Sequence, residues 1–385
     1  MLNDMKELQK KIFDRLSSKQ SLARNLIYLI IAIIVVLLTS YILNKIALND
    51  ESCNEMKKTL TSDDYEPVDL GSGFNETYTL DEAKKIGNSA QDDCNTETGC
   101  HWYGKPVMLR NYNIKSSYNS CCANLYKNGW VSECALREVI AQGCRFLDFE
   151  VYSYKGKPVV GVSTKVNDYY MKECYNYIPI GNVFDTIKNR AFTEGDCAGT
   201  NKQPLIINLR FKTNNKDVLD DVAKSLKNSL NGKLLNSCDS IYNYRSTVIP
   251  EPDTGYNNFG TIGMDRIKGK VILFTDLTDD LILQTNKLRN SINMSSRSIS
   301  RPNLKVYRYT EIIGKENRPD GWQNNIVLCF PDLSNMCQRM DHKINEDNNL
   351  GIQLFANCFQ SKSDELKAYI AYFNGEKSAF VKQTQ

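Results

Sequence analysis

The sequence predicts an α/β architecture, a TIM-type (β/α)8 barrel over residues 105–385, preceded by one transmembrane helix. Two observations carry this. Strand-like and helix-like stretches alternate over ~280 residues, as one α/β barrel requires. Ahead of them, residues 26–43 are apolar except for Thr39, Ser40 and two tyrosines, which is long enough to cross a bilayer.

Residues 1–24 place Met5, Leu8, Ile12, Phe13 and Leu16 at helical spacing with Lys and Arg between them. That pattern predicts a basic amphipathic helix, read either as a solvated tail or as a face for anionic lipid. Lys6, Lys10, Lys11, Arg15, Lys19 and Arg24 precede the span, whereas Lys45, Asp50, Glu51 and Glu55 follow it. The positive-inside rule then puts 1–24 in the cytoplasm, the span at 25–46, and the bulk of the chain on the luminal or exterior side. A cleaved signal peptide fits less well, because the charged region is long and no A-x-A site follows.

Residues 47–104 are polar and predict a stalk with one short helix over 80–86. The chain has thirteen cysteines, many for a cytosolic protein of its size. Cys94, Cys100, Cys121, Cys122, Cys134, Cys174, Cys197, Cys238 and Cys337 sit in loop-like contexts and are disulfide candidates. Cys144, Cys329 and Cys358 lie in apolar runs and read as buried thiols. The total is odd, and Cys53 is the candidate for the unpaired one. No Cys-x-x-Cys pair supports zinc. Asn75 and Asn293 head glycosylation sequons. A net charge of +3 gives no sign of a nucleic-acid surface.

Within the barrel region, 147–151 and 158–162 read as strands, 181–192, 219–231 and 363–375 as helices, and 291–303 as a mobile surface loop. Asp148 and Glu150 are two apart, so both face one side of their strand. Two acids there need a cation, a proton or a guanidinium between them.

The segments SSYNSCCAN (116–124), GCRFLDFEVY (143–152), GKPVVGVST (156–164), PLIINLRFKT (204–213), KGKVILFTDL (268–277), GIQLFANCFQ (351–360) and FNGEKSAFVK (373–382) follow one another in a telling order. In order and spacing they resemble the X and Y regions of the phosphatidylinositol-specific phospholipase C family. The resemblance implies a PLC-like phosphodiesterase barrel. It also implies two catalytic histidines, an acidic calcium site and basic phosphate-holding positions. Here the histidine positions fall on Tyr118 and Val162. The metal positions fall on Asn119, on Asp148 and Glu150 in swapped order, and on Arg210 in place of an acid. The basic positions fall on Phe274, Asp276 and Leu328. The only histidines, His101 and His342, lie outside the matching motifs.

Tyrosine titrates near ~10 and valine not at all, so neither shuttles protons at neutral pH as imidazole does. The expectation is therefore a membrane-anchored, catalytically inactive barrel with a structural or binding role and no cofactor. Arg210 is expected to pair with Asp148 or Glu150, with Arg145 as a further partner. The alternative is a phosphoric diester hydrolase acting on phosphoinositides or related lipids through a rearranged, calcium-dependent site. A third reading is a binding module for a sugar or an inositol phospholipid, using Tyr152, Tyr154, Tyr169, Tyr170, Tyr175 and Tyr177 near the barrel mouth. The Asn-, Lys-, Ile- and Tyr-rich composition looks like that of an AT-rich genome. With the anchor, it suggests a virion membrane protein of a large DNA virus.

Overall fold

The computed structural model describes residues 2–74, 108–165, 173–195, 198–235, 263–299, 304–318, 325–332, 334 and 337–383. The chain divides into two compact units, Met1–Glu51 and Ser52–Gln385. The first unit is helical and belongs to α1 (Leu2–Leu60). The most apolar window of α1 has a mean hydropathy of 2.9 with none of it buried, so by length and composition this helix can cross a membrane. The expected span at 25–46 lies inside it.

The second unit is the barrel. Its strands are β1 (Tyr112–Ser117), β2 (Phe146–Tyr154), β3 (Lys157–Gly161), β4 (Ile178–Pro179), β5 (Leu205–Lys212), β6 (Val271–Thr278), β7 (Met294–Arg297), β8 (Leu304–Arg308), β9 (Ile326–Phe330), β10 (Leu354–Asn357) and β11 (Phe380–Lys382). Eight of them run parallel in the order β7-β6-β5-β2-β1-β10-β9-β8, leaving a seam without a ladder between β7 and β8. The barrel is thus nearly closed. β3, β4 and β11 extend it as antiparallel additions.

Both faces of the central strands are covered, which is why β2 and β5 are buried along most of their length. Between strands lie α2 (Glu133–Ala141), α3 (Ile180–Arg190), α4 (Lys216–Leu230) and α5 (Asp364–Gly375). Side chains of Ser132, Asn215 and Ser363 cap α2, α4 and α5 by accepting from backbone N–H groups of the first turn. Gly143, between α2 and β2, has φ +78°, and a Cβ there would stand 2.6 Å from Leu70 Cδ1. Glycine is required at that corner for both reasons.

The stalk expected over 47–104 is not one piece. Residues 52–74 pack into the barrel unit: Met56, Leu60, Tyr65 and Leu70 are buried, Gln142 Nε2 donates to the carbonyls of Leu60 and Tyr65, and Gln203 Nε2 donates to that of Leu70. The expected helix at 80–86 lies outside the described residues, as do Asn75, His101, Tyr169, Tyr170, Cys94, Cys100, Cys197 and Cys238. Residues 291–303 are not simply a loop, because 294–297 form β7. Its Ser and Arg content hides the strand; Ser295 Oγ instead bonds to the Leu277 carbonyl at 2.5 Å. Asn293 is buried, and its side-chain oxygen accepts from Leu273 N–H at 2.8 Å, so the folded chain does not present it for glycosylation.

Cysteine pairing also departs from expectation. Cys53 is bonded to Cys134 with Cα atoms 6.2 Å apart, and Cys358 to Cys337 at 6.0 Å. Cys53 is therefore paired, and Cys358 is no free thiol. Cys121 and Cys122, expected as disulfide candidates, are free and buried, as are Cys144 and Cys329; the buried Cys174 Sγ donates to the Asn176 carbonyl at 3.1 Å. Burial pushes the thiols of Cys122 and Cys144 up to about 12.

One core residue breaks the hydrophobic rule. Lys115 on β1 is fully buried, with its ammonium 6.0 Å from the centre of the Phe373 ring on α5. Burial lowers its pKa from 10.5 to about 8. The unfolded chain binds this proton more tightly, so the group destabilises the fold fully below pH 8 and ceases to do so above 10.5. Lys115→Met is expected to stabilise the protein by about 3 kcal/mol at neutral pH. It should also flatten the rise in stability between those two pH values. Denaturant unfolding of both proteins across that range checks this, and parallel pH profiles would contradict it.

Candidate functional site

The site is built where β1, β2 and β5 end. The parallel register sets Asp148 beside Asn208 and Glu150 beside Arg210, and partners in such a ladder project to the same side. The chain leaving β1 turns back at Asn119, whose φ of 45° is the left-handed conformation that asparagine tolerates. Backbone bonds from Asn119 N–H to Asp148 Oδ2 (3.0 Å) and from Ser120 N–H to the Asp148 carbonyl (2.8 Å) fix that turn against β2.

Arg210 lies at the centre. Its Nε donates to Asp148 Oδ1 at 2.9 Å and its Nη1 to Glu150 Oε1 at 2.7 Å. Its Nη2 donates to Asp148 Oδ2 at 2.7 Å and to Asn119 Oδ1 at 2.6 Å. The remaining acceptor sites are taken by neighbours. Asn208 Nδ2 donates to Asp148 Oδ1 at 2.8 Å, and the Tyr152 hydroxyl donates to Glu150 Oε2 at 2.6 Å. Tyr118 and Phe330 lie against the guanidinium, with ring centres 4.7 Å and 5.2 Å from its carbon.

Both carboxylates are 0% exposed and Arg210 is 7% exposed. Burial opposes the guanidinium's charge, but Asp148 and Glu150 outweigh it and hold Arg210 protonated well above its ordinary range. Burial first, and then the Glu150 charge, raises the Tyr152 hydroxyl far above neutral pH. Burial likewise raises Tyr118, so neither phenol releases a proton under physiological conditions.

These residues do not fit a divalent cation as they stand. Calcium needs six or more oxygens at ~2.3–2.6 Å. Here the Asn119, Asp148 and Glu150 oxygens that would supply them converge on guanidinium N–H groups instead. Among the described residues no cluster of three His, Cys, Asp or Glu side chains forms a metal site.

The other sequence-derived positions are placed as follows. Val162 is buried just past β3. Phe274 is fully buried on β6 beside Asn208 and Met294, and Leu328 is buried on β9 between Leu354 and Val306. Asp276 Oδ1 accepts from Phe211 N–H at 2.7 Å, and burial raises its carboxyl to about 6. Arg145, expected beside the acids, instead donates to the carbonyls of Pro204, Ala191 and Gln203, because it faces the other end of the strands. His342 packs against Tyr369 and Tyr372 of α5. Of the tyrosine group, Tyr152 belongs to the buried site, Tyr154 stacks on Tyr177 with ring centres 4.5 Å apart, and Tyr175 stacks on Trp130 at 5.1 Å. Asn208 and Phe330 were missed as site residues, and Tyr152, expected only as a ligand-facing ring near the mouth, is instead a hydrogen-bond donor to Glu150. Asn208 and this role of Tyr152 were accessible to the alternation rule, being two positions from Arg210 and Glu150 respectively.

Removing Arg210 would leave two buried carboxylates facing each other. Arg210→Ala is expected to cost about 3–5 kcal/mol of folding stability, the range for breaking one side of a buried pair. Denaturant unfolding would show it, and a change below about 0.5 kcal/mol would mean that the guanidinium is not the partner described.

Comparison with known proteins agrees with this fold. Residues 107–259 match the family model for the phosphatidylinositol-specific phospholipase C X domain. No curated protein matches the chain by sequence. Among solved structures, PLC21 from L. pealei aligns over 73% of this chain at 14% identity with a TM-score of 0.54. PLC21 from S. officinalis aligns over 73% at 15% identity with a TM-score of 0.53. The aligned part spans 38% of each of those chains, so the likeness is one of barrel fold. Residues 107–259 thus match the X-domain model of the phosphatidylinositol-specific phospholipase C family, and the described part of the chain folds as a nearly closed (β/α)8 barrel like that of the PLC structures.

Proposed function

We propose that this protein is a membrane-anchored, catalytically silent PLC-like barrel that works by binding or by structural support. The observation that carries the reading is Arg210, whose guanidinium fills the space between Asn119, Asp148 and Glu150. Cleaving a phosphodiester by the family's chemistry needs a base, an acid and a cation facing the developing charge. Tyr118 and Val162 supply neither base nor acid. Arg210 makes four hydrogen bonds inside the protein, which leaves it one N–H for anything else. In this reading the barrel needs no metal cofactor. Its partners are the bilayer and a ligand met at the mouth, for which phosphoinositide-type lipids are the nearest chemical class.

In the same reading the apolar part of α1 is a single-pass anchor with the N-terminus in the cytoplasm and the barrel on the luminal or exterior side. The charge difference across the span supports this side, and the Cys53–Cys134 and Cys337–Cys358 bonds suit an oxidising compartment. A virion membrane is the proposed setting, on composition alone.

Two experiments test the proposal. Purified full chain in detergent should release no inositol phosphate from phosphatidylinositol, with or without calcium, since loss of even one acid–base group lowers such rates by ~100- to 10,000-fold. Turnover that Asp148→Asn or Tyr118→Phe abolishes would restore the hydrolase reading. Protease added to sealed vesicles should clip only the first 24 residues or so. Digestion of the barrel with protection of the N-terminus would reverse the topology.

A further inference from the structure

Two rings cover Arg210, and the chain that carries them meets at one disulfide. Tyr118 lies 4.7 Å and Phe330 5.2 Å from the guanidinium carbon, and the two ring centres are 5.0 Å apart. Tyr126 backs Tyr118, with ring centres 5.8 Å apart at 81°, and both tyrosines are buried. The Tyr126 hydroxyl stands 3.1 Å from Cys337 Sγ and 3.0 Å from Cys358 Sγ, the two sulfurs of one bond. A disulfide sulfur carries no proton, so the phenol is the donor to both.

The same bond is tied to the backbone beneath each ring. Cys358 directly follows β10, whose last residue, Asn357, accepts from Tyr118 N–H at 2.8 Å through its carbonyl. Cys337 lies in the chain that leaves β9, of which Phe330 is the last residue. Next to Cys337, the Gln338 side chain accepts from Asp332 N–H at 2.6 Å and donates to Asp332 Oδ2 at 2.8 Å, which couples Cys337 to the stretch just after Phe330. Movement at the sulfurs therefore reaches both covers of Arg210. Covalently joined sulfurs present one shared acceptor spot to the phenol, whereas two thiols stand apart at non-bonded distance, so reduction breaks up the shared contact.

We propose that the Cys337–Cys358 bond is a redox latch on the barrel mouth. Oxidised, it holds Tyr126, and through it Tyr118, over Arg210; reduced by a dithiol, it releases both tyrosines and opens the Arg210 network to water. One thiolate of the reductant attacks Cys337 Sγ, which is only partly buried, forms a mixed disulfide and expels the buried Cys358 as a thiolate that takes up a proton. The second thiolate of the reductant attacks the mixed disulfide, closes the reductant's own disulfide and frees Cys337, which is protonated in turn. Two electrons and two protons pass, net, from the dithiol to the protein. The latch acts on the same Arg210 site that the proposed function describes and rests on that reading. It stays closed in the oxidising space proposed for the barrel and opens where a dithiol reductant is supplied.

Hydrogen–deuterium exchange of the full chain in phosphatidylcholine nanodiscs, with and without dithiothreitol, tests the latch in peptides covering residues 118–126, with thiol labelling of Cys358 to establish reduction. Exchange there should quicken by about fivefold or more on reduction, as loss of a buried hydrogen-bonded contact does. Dithiothreitol also reaches Cys53–Cys134, so two variants separate the bonds. C53A/C134A should still respond to the reductant, and C337A/C358A should exchange fast with or without it. Y126F keeps the ring and loses the hydroxyl, and it should exchange fast with the bond intact. Unchanged exchange after complete reduction overturns the latch, as does a response that survives in C337A/C358A or a Y126F protein that exchanges as slowly as the unsubstituted one. These results leave the silent-barrel reading in place. Phosphoinositide turnover by the oxidised protein would overturn that reading and not the motion of the latch.

Discussion

The guanidinium of Arg210, buried between two carboxylates, is the interaction on which the arrangement of the barrel mouth depends. Three charges withdrawn from water are destabilising unless each is paired and hydrogen-bonded. Here every carboxylate oxygen has a donor, through Arg210, Asn208, Tyr152 or the backbone N–H of Asn119. The same bonds tie three stretches of chain together: the turn after β1, the strand β2 and the strand β5. Tyr118 and Phe330 cover the guanidinium, which excludes water and strengthens the pairing. A buried polar network in which every carboxylate oxygen has a donor rigidifies the core around it.

In the proposed reading, that closure separates this barrel from the chemistry of the family it resembles. A barrel mouth can serve many reactions because its loops vary while its wall stays fixed. In this chain the wall itself has changed, since Arg210 lies on β5 and reaches the acids of β2 through the strand register. Tyr118 sits where an imidazole would be needed, but its phenol is raised by burial and lies against a cation as a ring. In the proposed reading the substitutions agree with one another: a phenol and a valine where proton transfer would need imidazole, a guanidinium between the acids, and apolar or acidic residues at the positions where the resembled family holds phosphate.

Much of this was legible in the sequence because it rests on short-period rules. The two-residue spacing of Asp148 and Glu150 put both acids on one face, and the resemblance to the phospholipase C family, which sets Arg210 where that family keeps an acid, implied a guanidinium between them. What escaped had identifiable physical causes. β7 reads as a polar loop because Met294 is its one large apolar residue, and side-chain bonds from Asn293 and Ser295 take the place of apolar burial. Residues 52–74 read as stalk because their anchoring apolar residues, Met56, Leu60, Tyr65 and Leu70, are sparse among polar ones. Cys53 gave no sign of its partner, since Cys134 is distant in sequence and only the packing of the chain brings the two to 6.2 Å between Cα atoms. Lys115 could not be recognised as buried, because a single lysine in a strand reads as a solvent-facing position.

The central claim is that a guanidinium occupies the cation position of this barrel and leaves no room for a metal. Calorimetric titration of calcium into the full chain tests it directly. The account predicts no saturable binding, with heats indistinguishable from those of Asp148→Asn. Stoichiometric calcium binding that Asp148→Asn abolishes would show that Arg210 yields its place to the metal, and would contradict the account.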